Sequence, residues 1–119
     1  MADKITKVEI VTRKNKFEEL KNALNEIGVM GMTVSQVLGC GTQKGDVQCY
    51  RGIPMELKLL PKIKVEIVIC EVPVEKVIEV AEKVLRTGNI GDGKIFVSDI
   101  TDVIKVRTGA RGKEALLNE

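Results

Sequence analysis

Apolar residues recur at regular spacing in several stretches of the 119-residue chain, and these patterns predict its strands and helices. Residues 4–12 are rich in β-branched side chains, which favour a strand. Across residues 17–27, apolar side chains fall on one face at helical spacing, and Gly28 follows as helix C-termini prefer. Asn15, with Glu18 three positions later, predicts a capping box at the start of this first helix.

The rest of the chain continues the pattern. Residues 32–38 predict a second extended segment. A third strand is predicted from Pro61, because isoleucine and valine alternate there with charged residues. Pro73 opens a second amphipathic helix, as proline does at a helix start. A strand at 94–98 and a short extended piece at 103–107 complete the predicted elements.

The predicted order is β-α-β, a long loop, then β-α-β. Two such halves predict an α+β fold, a ferredoxin-like βαββαβ sandwich whose antiparallel sheet carries both helices on one face. The length indicates a single domain, residues 1–119, with a polar tail at 108–119 that we expect to be loose. The sheet face without helices needs cover, and oligomerisation would supply it.

The loop at 39–58 is the strongest sign of function in this pattern. It contains four glycines and one proline and shows no sustained period. Connections inside compact domains are usually about 4–6 residues long, and much longer ones usually carry function.

Composition excludes several classes of protein. The net charge of +2 is too small for nucleic-acid binding by bulk electrostatics, and the 3% aromatic content is too low for base-stacking platforms. Histidine is absent, which excludes histidine-based triads and histidine metal ligands. Three cysteines without a C-x-x-C pair indicate free thiols. No signal-peptide core or membrane-span pattern occurs, so we expect a cytoplasmic protein.

The stretch TGNIGDGKIF contains the most distinctive motif. Gly88, Gly93 and Lys94 stand at the G-x-x-x-x-G-K spacing of a P-loop. A P-loop follows a strand and opens a helix, whereas here the predicted order is helix, loop, strand, and Ile95 replaces the magnesium-binding hydroxyl. An ordinary glycine-rich turn is the simplest interpretation. The alternative is an anion nest of backbone N–H groups, with Lys94 adding a charge.

Two further segments carry similar chemistry. GCGTQKG, at the mouth of the long loop, offers close backbone approach together with Gln43 and Lys44, although taken alone its pattern favours a flexible loop base. In IKVRTG, Lys105 and Arg107 alternate along a predicted strand and so would project to one face. A solvated strand face is the alternative there.

Together these residues resemble the PII family of nitrogen-regulatory signalling proteins. The run TGNIGDGKIFV followed by IKVRTG is similar to the family's C-terminal signature. GMTVSQVLGCGTQKG, then YRG and LLPKIKVEIV, resemble its second strand, long T-loop and third strand. The resemblance covers residues 5–109. It implies a homotrimer of ferredoxin-like subunits that binds ATP or ADP in the clefts between subunits.

The resemblance also implies roles for individual residues. The glycine loop would cradle phosphates, the base of the T-loop would wrap the nucleotide, and a cationic pair would add charge across the interface. The implied nucleotide-binding residues are Thr33, Gly39, Gly41, Thr42, Gln43, Lys44, Val68, Gly91, Asp92, Gly93, Lys94, Lys105 and Arg107.

The family senses 2-oxoglutarate together with Mg-ATP, and the resemblance implies the same ligands here. Gln43 would bind Mg2+ through its side-chain oxygen. Lys62 would pair with a 2-oxoglutarate carboxylate, while backbone N–H groups near Lys44 and Gly45 would hold the same ligand. A metal, a cation and amides together would offset the charge of a dicarboxylate.

The T-loop of the family contacts partner proteins, which here implies Tyr50, Arg51, Gly52 and Met55. Implied targets are an ammonium transporter, glutamine synthetase, and nitrogenase-related or transcriptional regulators, with membrane contact only through a transporter. The tyrosine that many bacterial members modify corresponds to Met55, so we expect no uridylylation. Thr42 and Lys105 stand where the family often has arginine, and either could change the preference between ATP and ADP.

Two other functions compete with a sensor that catalyses nothing. A small nucleotide-hydrolysing or nucleotidyl-transferring enzyme would use the same glycine loops, but no histidine and no carboxylate pair supports it. An RNA-binding ferredoxin-like domain is disfavoured by the scarce aromatics and the low charge.

Overall fold

The computed structural model describes residues 4–41 and 58–117, and its centre is one four-stranded sheet. The strands are β1 (Thr6–Arg13), β2 (Thr33–Gly41), β3 (Lys58–Ile69) and β4 (Lys94–Asp99). They lie in the order β2-β3-β1-β4, and all neighbours are antiparallel. With helices α1 (Phe17–Glu26) and α2 (Val74–Leu85), this confirms the ferredoxin-like α+β prediction.

Apolar and polar residues alternate along the strands, so one face of the sheet is apolar and packs against the helices. Buried and partly exposed residues alternate along the whole of β1. Val8 and Ile10, both fully buried, lie opposite Ile67 and Val65 of β3. Burying each such side chain contributes about 1.5–3 kcal/mol. The helices supply the rest of this core, chiefly Leu20 and Leu24 of α1 and Val77 and Ala81 of α2.

The start of α1 differs from the prediction, whereas its end agrees. A 3-10 turn, Lys14–Lys16, precedes α1, and Lys16 is the N-cap without a side-chain capping bond. The capping-box prediction is wrong because Asn15 lies within this turn instead of at the cap. At the other end, Gly28 adopts a φ of 97°, and its N–H bonds to the Asn25 carbonyl at 3.0 Å.

The hairpin of β2 and β3 extends further than predicted. Gly39 pairs with Leu60, and Gly41 pairs with Lys58, so both glycines belong to a strand and not to the loop. Pro61, predicted as the start of the third strand, lies inside β3 opposite Leu38. The ladder joins backbone groups, so it continues through glycines that show no side-chain period.

The segment after β4 is not the predicted extended piece. Ile104 forms only an isolated bridge with Arg111, and residues 106–108 form a turn that is closed by a 2.7 Å bond from the Gly109 N–H to the Lys105 carbonyl. Lys105 and Arg107 therefore do not alternate along a strand, and that prediction is wrong. Gly109, with a φ of 77°, supplies the left-handed conformation that reverses the chain.

The tail, predicted to be loose, is folded back as far as Leu117. A short helix, α3 (Lys113–Leu116), follows the bridge. Lys113 Nζ lies 3.1 Å from a Glu71 carboxylate oxygen, and Arg111 Nη1 lies 2.8 Å from Asp102 Oδ2. The segment is thereby held beside the end of β3.

The sheet face opposite α1 and α2, hereafter the open face, carries charged and apolar residues. Lys7 bridges Glu66 at 3.0 Å and Glu9 at 3.6 Å, and these contacts raise the pKa of Lys7, with the Glu66 hydrogen bond the largest cause. Phe96 of β4 is 52% exposed on the same face. Among the described helices, none is long and apolar enough to cross a membrane.

The core predicts a clear contrast between two apolar truncations. Leu24→Ala should lower the free energy of unfolding by about 2–5 kcal/mol, because it leaves a cavity in a fully buried position. Met30→Ala, at a side chain that is 80% exposed, should change it by less than about 0.5 kcal/mol. Urea unfolding at one fixed protein concentration measures both; similar losses would contradict this account of the core.

Candidate functional site

The glycine-rich loop that follows Arg86, the C-cap of α2, comprises residues 87–93 and is pressed against the end of β1. Gly88, Gly91 and Gly93 adopt φ values of 87°, 109° and 102°. A Cβ atom on Gly93 would collide with the Val11 carbonyl oxygen, and one on Gly91 would lie 2.9 Å from Arg13 Nη2. An ordinary turn needs no such close approach, so the glycines fit this phosphate-loop candidate tightly onto the sheet.

Three consecutive carbonyl groups of this loop accept hydrogen bonds from side chains of the sheet. Arg13 Nη2 donates to the Ile90 carbonyl at 2.9 Å. Lys62 Nζ donates to the Gly91 carbonyl at 3.1 Å. Thr12 Oγ1 donates to the Asp92 carbonyl at 2.8 Å. The strand ends therefore fix the direction of three successive peptide units.

This arrangement sets where the loop N–H groups point. Every described peptide bond is trans, so each N–H points away from the carbonyl that precedes it. The N–H groups of Gly91 and Gly93 are thus directed away from Arg13 and Thr12. The Asp92 N–H lies 3.4 Å from the Asn89 carbonyl oxygen. Outward N–H groups on a glycine loop form an anion-binding concavity.

The Asp92 carboxylate is bonded within the loop. It accepts hydrogen bonds from the Thr87 N–H at 2.8 Å, the Thr87 hydroxyl at 2.5 Å and the Gly88 N–H at 2.9 Å. Arg13 Nη1 lies 2.5 Å from the same carboxylate. The Thr87 hydroxyl, followed by Arg13, lowers the pKa of Asp92 far below its ordinary value. Asp92 therefore acts as an internal anion that closes the loop.

Gly39 and Lys62 adjoin the loop on the open face. A Cβ atom on Gly39 would lie 3.2 Å from Lys62 Cγ, so the glycine leaves room for the lysine stem. Lys94 is the first residue of β4, pairs with Val11 and is exposed. The structure thus brings together Gly39, Lys62 and the 91–94 segment.

Thr33 and Val68 lie towards the opposite end of the open face. Thr33 pairs with Glu66, and Val68 pairs with Lys7. Val68 lies six positions after Lys62 along β3, which at about 3.3 Å per residue amounts to about 20 Å. The residues implied for the nucleotide therefore form two separate groups in one chain.

Lys105 and Arg107 belong to a segment near that opposite end. The Ile100 N–H bonds to the Ile5 carbonyl at 2.9 Å, which anchors the chain after β4 beside the start of β1. Lys105 Nζ donates to the Leu117 carbonyl at 2.6 Å. The two cations thus follow the end of the sheet at which the start of β1 and Val68 lie.

Other implied residues lie outside the described part of the chain, and predictions about them stay predictions. Within the described ranges, no cluster of three or more cysteine, aspartate or glutamate residues is arranged to hold a metal. The implied residues outside these ranges are Thr42, Gln43, Lys44, Gly45, Tyr50, Arg51, Gly52 and Met55.

Sequence reasoning missed Thr12, Arg13 and Thr87. Thr12 and Arg13 end β1, where the sequence pattern indicated only that alternate residues face the core and the solvent. Their role depends on the register that places them beside the loop, which local periodicity does not reveal. Thr87 lies five positions before Asp92, and a hydroxyl residue at such spacing weakly indicates a loop that is closed by a side-chain hydrogen bond.

Comparison with known proteins gives concordant matches over most of the chain. Residues 5–110 match the family model described as "Nitrogen regulatory protein P-II". A nitrogen regulatory PII-like protein of Bacillus subtilis is 50% identical over 98% of this chain and 100% of its own length. The nitrogen regulatory protein P-II of Rhizobium meliloti is 44% identical over 92% of this chain and 98% of its own.

Solved structures match equally well. The B. subtilis GlnK–ATP complex is 47% identical, covers 97% of this chain and 98% of its own, and superposes with a TM-score of 0.81. Arabidopsis thaliana PII bound to citrate is 42% identical, with a TM-score of 0.74 over 95% of this chain and 92% of its own.

The loop geometry predicts unequal costs for two alanine substitutions. Gly88→Ala should destabilise through its positive φ alone, because nothing lies within 4 Å of the added atom. Gly93→Ala should lower the free energy of unfolding by a further amount of about 1–3 kcal/mol, because the added atom meets the β1 backbone. Urea unfolding of both variants tests this, and equal losses would show that the loop is not tightly seated.

The Asp92 contacts predict a pH-dependent contribution to stability. Because the folded-state pKa of Asp92 is lowered, its contribution is fully present above the unfolded-state value of about 3.9 and fades as pH falls below it. The gap in unfolding free energy between the wild type and Asp92→Asn should therefore be widest near pH 6 and narrower at pH 3. Urea titrations at both pH values measure it. A gap that does not change with pH would contradict the charged network.

Proposed function

Because this chain belongs to the nitrogen regulatory protein P-II family, we propose that it is a signalling regulator that binds ATP or ADP. The observation that carries this proposal is the set of three anchored loop carbonyls at Ile90, Gly91 and Asp92. Carbonyl oxygens repel phosphate, and here they are turned towards the sheet. The N–H groups of Gly91 and Gly93 and the exposed Lys94 then receive the phosphates.

The nucleotide site is proposed to lie between subunits of a homotrimer. Gly39, Lys62 and the phosphate loop lie at one end of the open face, whereas Val68 lies about 20 Å away along β3 and Thr33 pairs with Glu66, about 13 Å from Lys62. A neighbouring subunit would bring its own Thr33 and Val68, with its Lys105 and Arg107, beside the phosphate loop of this chain. Trimers are known in the family, and the B. subtilis GlnK structure is described as an ATP complex.

Mg2+ and 2-oxoglutarate are proposed as further ligands. Gln43 would hold Mg2+, which would offset phosphate and carboxylate charge. Lys62, with Gly45 and backbone groups near Lys44, would bind the 2-oxoglutarate carboxylates. The 3.1 Å bond from Lys62 to the Gly91 carbonyl supports a link between the two ligands, because one ammonium group would serve both the loop and the dicarboxylate.

Regulation is proposed to act in the cytoplasm through the T-loop, around Tyr50, Arg51, Gly52 and Met55. Nucleotide and 2-oxoglutarate would shift the loop between states only through different affinities for those states. The partners would be of the ammonium-transporter, glutamine-synthetase, nitrogenase-related or transcriptional-regulator kind. Neither covalent modification of the loop nor catalysis is part of this proposal.

Calorimetry tests the nucleotide assignment. The wild type should bind ATP, and Lys94→Gln should weaken binding about tenfold, since a charge-assisted contact is worth about 1.4 kcal/mol or more. Lys83→Gln, on the exposed last turn of α2, is the matched control and should bind ATP as the wild type does. Sustained ATP turnover, or failure of the wild type to bind ATP or ADP, would overturn the proposal.

The same method tests the second ligand and the assembly. With Mg-ATP present, 2-oxoglutarate should bind the wild type, while Lys62→Gln should bind it at least about tenfold more weakly through loss of an ion pair. Native mass measurement should give three chains per complex. Binding of 2-oxoglutarate that is unchanged in Lys62→Gln, or a monomeric mass, would contradict these parts of the proposal.

A further inference from the structure

Arg13 has a place in the structure that none of the implied ligand roles explains. Its guanidinium makes two different contacts to the phosphate loop, with Nη2 on the Ile90 carbonyl at 2.9 Å and Nη1 on Asp92 Oδ1 at 2.5 Å. Only 27% of its side chain is exposed. Each nitrogen thus holds a different part of the loop from the end of β1.

The second contact extends into the start of the loop. The carboxylate that Arg13 holds also accepts from the N–H groups of Thr87 and Gly88, at the point where α2 ends. Arg13 and Asp92 therefore connect the end of β1, the end of α2 and the turn before β4. The planar guanidinium suits this, because it offers several donors in a fixed geometry.

We propose that Arg13 is a positioning residue for phosphate binding: with Asp92, it holds the loop in the conformation whose Gly91 and Gly93 N–H groups face the phosphates. This inference rests on the proposed nucleotide binding and deepens it. Arg13 acts through the loop and contributes no direct phosphate contact. Removing either partner would let the loop visit conformations that do not accept an anion, and affinity would fall in proportion to the time spent there.

The direction in which Asp92→Asn changes the affinity for ATP distinguishes positioning of the loop from direct electrostatics. Asp92→Asn removes a negative charge beside the phosphates, so direct electrostatics alone predicts tighter ATP binding. Positioning predicts weaker binding, because the carboxylate that closes the loop is lost. If the receptive conformation falls to about a tenth of the population, the apparent Kd for ATP rises about tenfold.

The experiment compares Arg13→Gln, Asp92→Asn, the double variant and Arg86→Gln by ATP calorimetry. Arg86 is the matched control, because it immediately precedes Thr87 but pairs with Glu82 of α2. We expect about tenfold weaker binding in each single variant, a similar loss in the double variant, and wild-type affinity in Arg86→Gln. Three results would overturn the positioning role: tighter ATP binding by Asp92→Asn, additive losses of ATP affinity in the double variant, or an equal loss of ATP affinity in Arg86→Gln.

A nucleotide-free measurement keeps this inference separate from the proposed function. Amide hydrogen exchange at Thr87 and Gly88, whose N–H groups bond to the Asp92 carboxylate, should become at least several-fold faster in Arg13→Gln and in Asp92→Asn, while exchange in β1 and β3 stays as in the wild type. Unchanged loop exchange would overturn the inference even if the wild type binds ATP. Faster exchange in a protein that binds no ATP or ADP would overturn the proposed function and leave the anchoring of the loop standing.

Discussion

The site depends on hydrogen bonds that tie the glycine-rich loop to the end of β1. Thr12 and Arg13 reach the Asp92 and Ile90 carbonyls, and Lys62 of β3 reaches the Gly91 carbonyl between them. A glycine loop has large conformational entropy, so the geometry proposed for anion binding must be imposed by its surroundings. In this protein, a rigid sheet imposes it, and the buried side of β1 is fixed in turn by the core.

This constraint explains why a P-loop spacing occurs here in the reverse context. In a P-loop, the following helix supplies N–H groups and a favourable dipole. Here the loop follows a helix and precedes a strand, so its N–H groups need another source of order. The Asp92 carboxylate and three side-chain donors supply it. Ile95, which occupies the hydroxyl position of the P-loop pattern, packs against the core instead.

Sequence patterns predicted the parts of the fold that follow from periodicity. Alternation around Ile63 and helical spacing in α2 identified elements whose faces are buried in the structure. Patterns did not predict the 3-10 turn at Asn15 or the turn that contains Arg107, because local hydrogen bonds and left-handed glycines decide those features. They also did not indicate how far the β2–β3 ladder continues through Gly39, since backbone pairing leaves no side-chain signature.

The candidate site was predicted unevenly for the same reason. Gly91, Gly93 and Lys94 were recognisable from motif and family resemblance, because local chemistry defines a glycine loop. Arg13 was not, because its importance arises from tertiary register alone.

The central claim is that this loop receives nucleotide phosphates through its outward N–H groups, and backbone NMR during an ATP titration tests it most directly. The account predicts large, saturable shifts of the Gly91 and Gly93 amide resonances, with only small changes at Gly28, which closes α1. Saturable shifts elsewhere in the chain, with Gly91 and Gly93 unchanged, would contradict it.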